Sequence, residues 1–172
     1  MPQILPHRLT ENVKLLHKVA VVVGQKALLL KRSTDDYSRP GKWDLPGGNS
    51  EWPQAACQAI KNLHQLDVAR EIEEETGIKV DPDNFSWDKL VYFATYFNPE
   101  TEVYSVNCGW WLQLFPDQFS GQSQELPEIK ICSEHTEHQW ISLDQLDQFD
   151  FGPAERDFEK LTVRRALAAA SV

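Results

Sequence analysis

The chain has 172 residues and 41% apolar composition, enough for one domain with its own hydrophobic core. Seventeen basic residues against 26 acidic ones leave a formal charge of −9, which disfavours sequence-independent binding to a nucleic-acid polymer and means that a phosphorylated small molecule would need a cation to approach. Cys57, Cys108 and Cys132 are odd in number and widely spaced, so neither a disulfide framework nor a zinc site is suggested; with no uncharged stretch long enough for a bilayer and no leader-like start in "MPQILPHRLTENVKLL", the expected location is cytoplasmic, without a membrane partner.

In chain order, "HKVAVVV" and "KALLLKR" read as strands at about 17–23 and 26–32, joined by "GQ" as a tight hairpin. The polar "STDDYSRPGK" is a loop, and "WDLPGG" a short strand ending where Gly47 and Gly48 permit close backbone approach. From Ser50 the pattern turns helical, with Trp52, Ala56, Ile60 and Leu63 on an arc of about 80°. Val68 and Ile72 would fall on the opposite side of the same helix. The spacing therefore predicts an inserted helical segment over about 51–66, a break near 64–67, and then the helix of "AREIEEETGI", stopped by Gly77. "KLVYFATYF" and "EVYSVNCGWWLQLF" are two further strands, "PDQFSGQSQELPEIKICSEHT" is a polar connection, and "HQWISL" is a short strand. "DQLDQF" starts a helix, and a C-terminal helix spans about 154–170. The whole reads as one domain of the α/β (α+β) class, a mixed sheet sandwiched between helices.

"AREIEEETGI" poses an electrostatic problem. Glu71, Glu73, Glu74 and Glu75 crowd the helix end whose backbone partial charge is already negative. Glu71, Glu74 and Glu75 stand at i, i+3 and i+4 and so share a face, where hard carboxylate oxygens suit Mg²⁺ or Mn²⁺. A solvated acidic face fits the glutamates alone equally well.

"GKWDLPGG" followed by "REIEEETGI" resembles the Nudix hydrolases, whose signature ends in Arg-Glu-aliphatic-x-Glu-Glu-x-Gly-aliphatic. Arg70, Glu71, Ile72, Glu74, Glu75, Gly77 and Ile78 fill every fixed place of that half. "SEHTEHQWISLDQL" is similar to a stretch near the C-terminal end of many members, so the likeness extends over roughly residues 17–150. There is one departure. The interval between Gly48 and Arg70 is eight residues longer than the family's, and the box glutamate falls on Gln54 or Asn62 depending on the end counted from. Neither is acidic, and Glu51 or Asp67 is the nearby substitute.

The resemblance implies an α/β/α sandwich with Mg²⁺ (or Mn²⁺) held by Glu74, Glu75 and Glu71, with the Gly47 carbonyl contributing. Arg70 would orient a glutamate by a charge-assisted hydrogen bond. A pyrophosphate bond in a nucleotide would be hydrolysed, the substrate being a nucleoside triphosphate or ADP-ribose-like molecule. Glu134 is the first candidate for a further acid and Glu137 the second. Arg32, Arg39 and Gly48 are candidate phosphate contacts. Trp43, Tyr37 and the Trp110-Trp111 pair are candidates to stack on a base, although strand aromatics more often belong to the core. His135 and His138 receive no chemistry. A homodimer is a further expectation from the family. The alternative is a Nudix fold that senses a nucleotide without cutting it, which the missing box glutamate favours.

Overall fold

The computed structural model describes residues 12–51, 59–119, 126–153 and 157–170. Strands β1 (Val13–Val23) and β2 (Lys26–Arg32) form the expected hairpin, with Gly24 at φ 58° in the turn, although β1 starts earlier than its apolar run suggests. They pair with each other only at Val22↔Ala27 and Val23↔Lys26, and then diverge. Along its whole length β1 runs parallel to β5 (Val103–Leu114), and β5 carries the antiparallel strand β4 (Leu90–Asn98) on its other side. Strand β2 pairs instead with β6 (His135–Ile141), which starts ahead of the predicted "HQWISL".

The gap between β1 and β2 is filled by "WDLPGGNS". Strand β3 (Trp43–Asp44) pairs with β2, while on the other side His17 N–H donates to the Gly48 carbonyl (2.9 Å) and Val19 N–H to that of Pro46 (2.8 Å). Ser50 N–H then donates to the Leu15 carbonyl (2.8 Å). The glycine loop is thus a wedge hydrogen-bonded into a six-stranded mixed sheet.

Both faces of this sheet are covered, which is why β1 reads as a continuous apolar run. Val19, Val21 and Val23 pack with Leu28, Leu30 and Trp110 beneath helix α1 (Leu63–Thr76), which contributes Val68, Ala69 and Ile72. Ala20, Val22 and Leu29 face the other way, against Val163, Ala166 and Leu167 of α2 (Phe158–Ala169). Ile72 is fully buried, a side-chain burial that contributes roughly 1.5–3 kcal/mol. Helix α2 sits close to the sheet because Gly109 of β5 has no side chain; a Cβ there would overlap Thr162 Oγ1.

The break expected at 64–67 is absent, since α1 runs unbroken from Leu63 to Thr76. The interruption lies earlier, at Asn62, whose φ of 53° is left-handed. Ile60 is accordingly outside the helix and exposed. Helix α1 buries the stripe of Val68 and Ile72, not the one that Leu63 was expected to continue. Trp52, Pro53 and Ala56 of the expected inserted helix lie outside the described residues, as do Cys57 and residues 154–156 at the expected start of the last helix. Cys108 and Cys132 are free thiols. "DQLDQF" forms a 3₁₀ turn, Leu143–Gln148, instead of an α-helix. Among the described residues no helix is long and apolar enough to cross a membrane.

Candidate active site

Helix α1 ends at Gly77, whose φ of 73° lets its N–H close on the Glu73 carbonyl. The helix points its last turn at the glycine wedge. Gly47 N–H donates to Glu75 Oε2 at 2.7 Å. A Cβ on Gly48 would lie 2.5 Å from Glu71 Oε2, so only glycine lets the loop pass this close to that carboxylate. Arg70 bridges Glu71 and Glu74, both at 2.8 Å, and stands 3.9 Å from Glu51. Part of the positive charge that the acidic stretch calls for is therefore its own arginine.

A cleft of about 980 Å³ opens beside this loop, within the size range of small-molecule sites. Gly47, Gly48, Glu51, Glu71, Glu75 and Glu134 line one part of it, and Lys14, Lys18, Arg32 and Arg39 bring positive charge to the same space. Glu134 reaches the cleft because β6 carries an irregularity where Lys31 pairs with Glu137 but Arg32 with His135; its carbonyl also accepts Ser33 N–H at 2.8 Å. Glu137 does not line the cleft and pairs with Lys31 at 3.2 Å. Asp67 is buried within α1 and is not part of the cleft wall, its Oδ2 finding no hydrogen-bond partner among the described residues. Of the two substitutes for the box glutamate, Glu51 is the one the fold brings to the site.

Asp44 is the hub beneath the cleft. Fully buried, it accepts Arg32 (2.7 Å), Arg39 (2.7 Å) and Lys18 (3.0 Å). Burial alone would raise its pKa, yet Lys18, Arg39 and Arg32 together hold it well below the usual carboxylate range. Arg39 also bonds Glu159 of α2 at 2.6 Å. Arg32 and Arg39, expected as phosphate contacts, are thus fixed in an ion-pair network while lining the cleft. Lys18, in the apolar "HKVAVVV", was missed altogether: a lysine at the mouth of an apolar run looks like a solvated strand end. Its side chain is 3% exposed, and its amine bonds the Leu45 and Gly47 carbonyls at 3.1 and 2.6 Å.

Trp43 corrects an expectation. It packs edge-on against Phe149 in the core, 5.0 Å between ring centres, and does not reach the cleft. Trp110 is fully buried against His64, Trp111 lies under Lys89, and Tyr37 is fully exposed and outside the cleft. His135 is buried, with burial and then the Lys18 charge lowering its pKa to about 4.

His17 supports the wedge from below. Trp110 Nε1–H donates to its Nδ1 (3.0 Å), which assigns the proton to Nε2 and lets it donate to Ser50 Oγ (2.9 Å). Burial, and secondarily His64, lowers the His17 pKa from 6.5 to about 4. The unfolded chain therefore takes up a proton that the folded one refuses. This stability contribution is whole above about pH 6.5 and is lost as pH falls towards about 4. Between pH 7 and pH 4.5, urea unfolding should show wild type losing about 2 kcal/mol more than His17→Gln.

Burial also raises the Glu71 carboxyl and pushes Glu75 up to about 7, against the pull of neighbouring Arg70 on the first and Lys18 on the second. These are carboxylates short of positive charge. The donor chemistry, hard oxygens on Glu71 and Glu75 across from a Gly48 cradle, fits a divalent cation. The cage around it is not closed: Glu74 is 56% exposed and held outward on Arg70, and among the described residues no three His, Cys, Asp or Glu converge.

The family model described as NUDIX domain matches residues 16–161. The chain belongs to the Nudix family. Its fold is that of the Nudix hydrolases. A MutT NUDIX hydrolase from Burkholderia pseudomallei is 22% identical, with TM-score 0.60 over 90% of this chain and 98% of that one. A Caenorhabditis elegans Ap4A hydrolase in a binary complex is 18% identical, with TM-score 0.55 over 94% and 98%. A bifunctional NMN adenylyltransferase/ADP ribose pyrophosphatase from Francisella tularensis, complexed with AMP and a manganese ion, is 19% identical, with TM-score 0.57 over 96% of this chain and 43% of that one. A sequence comparison with curated proteins finds no match. Within this Nudix domain, "LPGG" is the wedge and "REIEEETGI" the last turns of α1, and the two meet at Gly47–Glu75.

Proposed function

We propose that this Nudix protein is a hydrolase that, with Mg²⁺ or alternatively Mn²⁺, cleaves a pyrophosphate bond in a nucleoside diphosphate linked to another group. The observation that supports the reading is that Glu71, Glu75 and Glu134, from two distant segments, line one cleft together with Arg32 and Arg39. Glu71 and Glu75 would hold the cation, Glu74 being docked on Arg70; the cation would supply charge neutralisation at the diphosphate and an acidified water. The chain's own residues do the rest. Arg70 orients Glu71 and Glu74, and Glu51 stands where the box glutamate is missing. Each guanidinium has five N–H donors, so Arg32 and Arg39 can bind phosphate oxygens while remaining docked on Asp44. Glu134, which lines the cleft, would take a proton from water there. A nucleoside triphosphate or ADP-ribose-like molecule is the substrate, the latter in line with the name of the Francisella relative.

The test is nucleotide or phosphate release from a panel of nucleoside triphosphates, ADP-ribose, diadenosine polyphosphates and coenzyme A, with Mg²⁺ and with chelator. Turnover abolished by chelator establishes the hydrolase. On the substrate so found, Glu134→Gln should lower kcat by about a hundredfold or more, and Glu137→Gln, outside the cleft, should leave it within about twofold. Equal losses in both would remove Glu134 from its role. The outward-held Glu74 favours a second reading, a nucleotide sensor: metal-dependent binding of a panel member with no turnover would select it.

A further inference from the structure

Lys18 is a buried cation beside the acidic end of α1. Its amine has three partners, Asp44 Oδ2 (3.0 Å), the Leu45 carbonyl (3.1 Å) and the Gly47 carbonyl (2.6 Å), and an ammonium has three N–H donors to give. The side chain is 3% exposed and stands on a central strand, so it cannot swing out to water without leaving Asp44. Gly47 joins the ammonium to the acidic helix end: its carbonyl accepts Lys18 while its N–H donates to Glu75. The carbonyl that the family resemblance assigns to a metal is therefore already on a cation. A second lone pair remains, but a divalent ion placed there would face the full ammonium charge across one oxygen, in a poorly solvated setting where like charges repel strongly.

We propose that the Lys18 ammonium is a built-in cation of this cleft, taking the Gly47 carbonyl in place of a metal ion and limiting the chain to at most one divalent ion, carried by the carboxylates of Glu71 and Glu75. The inference rests on the hydrolase reading above but concerns how the cleft is loaded, not whether it turns over. The bland alternative is a lysine that only neutralises Asp44. On that view its charge has no effect on metal binding, because Arg32 and Arg39 already satisfy the same carboxylate.

The experiment is a Mn²⁺ titration followed by electron paramagnetic resonance, on wild type and Lys18→Met, with turnover of the panel measured on the same samples. Wild type should bind no more than one ion per chain. Lys18→Met should bind a further ion, or bind the first at least about tenfold more tightly. Two ions in the wild type overturn the inference, as does a variant that binds no more, and no more tightly, than wild type. Either result with turnover intact leaves the hydrolase reading standing, whereas no ion and no turnover in both proteins removes the two together. A measurement on wild type alone can overturn the inference even if the variant does not fold. With ¹⁵N-labelled lysine, the buried Lys18 ammonium should give a slowly exchanging resonance that persists at saturating Mg²⁺, and its release into fast exchange on adding Mg²⁺ would overturn the inference.

Discussion

Glu75→Gln should lower turnover by about a hundred- to ten-thousandfold, the several kcal/mol of charge stabilisation a metal-dependent site supplies, while the protein stays folded. The two halves of this result have different origins. Glutamine keeps an oxygen that can accept Gly47 N–H, the 2.7 Å bond that docks the wedge on α1, so the loop and helix remain joined. What disappears is the negative charge of a buried carboxylate on the cleft wall. The measurement is kcat on the best panel substrate beside a urea unfolding curve. Unchanged kcat with an unchanged midpoint would dismiss Glu75 from the site. A fall in both would make it a structural residue whose loss merely unfolds the wedge.

Asp44→Asn should cost about 3–5 kcal/mol, the penalty for leaving buried charge without its partner. Three cations, Lys18, Arg32 and Arg39, meet on this one fully buried carboxylate. Asp36 and Glu159 hold the outer sides of the two arginines, but neither is bonded to Lys18. Asparagine preserves shape and removes the charge, so the three cations repel one another with less to hold them. Set against a typical domain stability of about 5–15 kcal/mol, such a loss is severe, and the urea midpoint reads it directly. Asn at this position with a wild-type midpoint would mean that the arginines, not Asp44, organise the network.

The fold was legible where neighbours in sequence are neighbours in space. The continuous, β-branched apolar run in "HKVAVVV", the Gly24-Gln25 turn and the Gly77 stop are local signals, and the structure carries all three. The same holds for Glu71, Glu74 and Glu75, whose spacing on a helix follows from its pitch. Long-range pairings were not legible. Nothing near Lys18 announces Asp44, and nothing near Arg39 announces Glu159. Those partners are chosen by the splaying of β1 from β2, which no local pattern encodes. Trp43 failed for a related reason: an aromatic beside a glycine loop can face a ligand or Phe149, and only the packing of the sheet decides. The expected helix break was misplaced because the apolar stripe of Ile60 and Leu63 was taken as the core face, and the chain instead buries Val68 and Ile72.

Because the glycine loop is stitched between β1 and β2 by His17, Val19 and Ser50 N–H groups, it belongs to the same cooperative unit as the sheet. Loops that carry functional groups are usually drawn from the low-stability end of a fold and open readily on their own. This one is held more firmly: freeing Gly47 from Glu75 also means breaking the loop's hydrogen bonds to β1 at Leu15, His17 and Val19, so its amides should exchange with solvent slowly. The cleft gains a floor that does not fluctuate away from its carboxylates. Whatever adjustability substrate entry requires must come from the rim, where Glu51, Glu74 and Glu134 stand exposed.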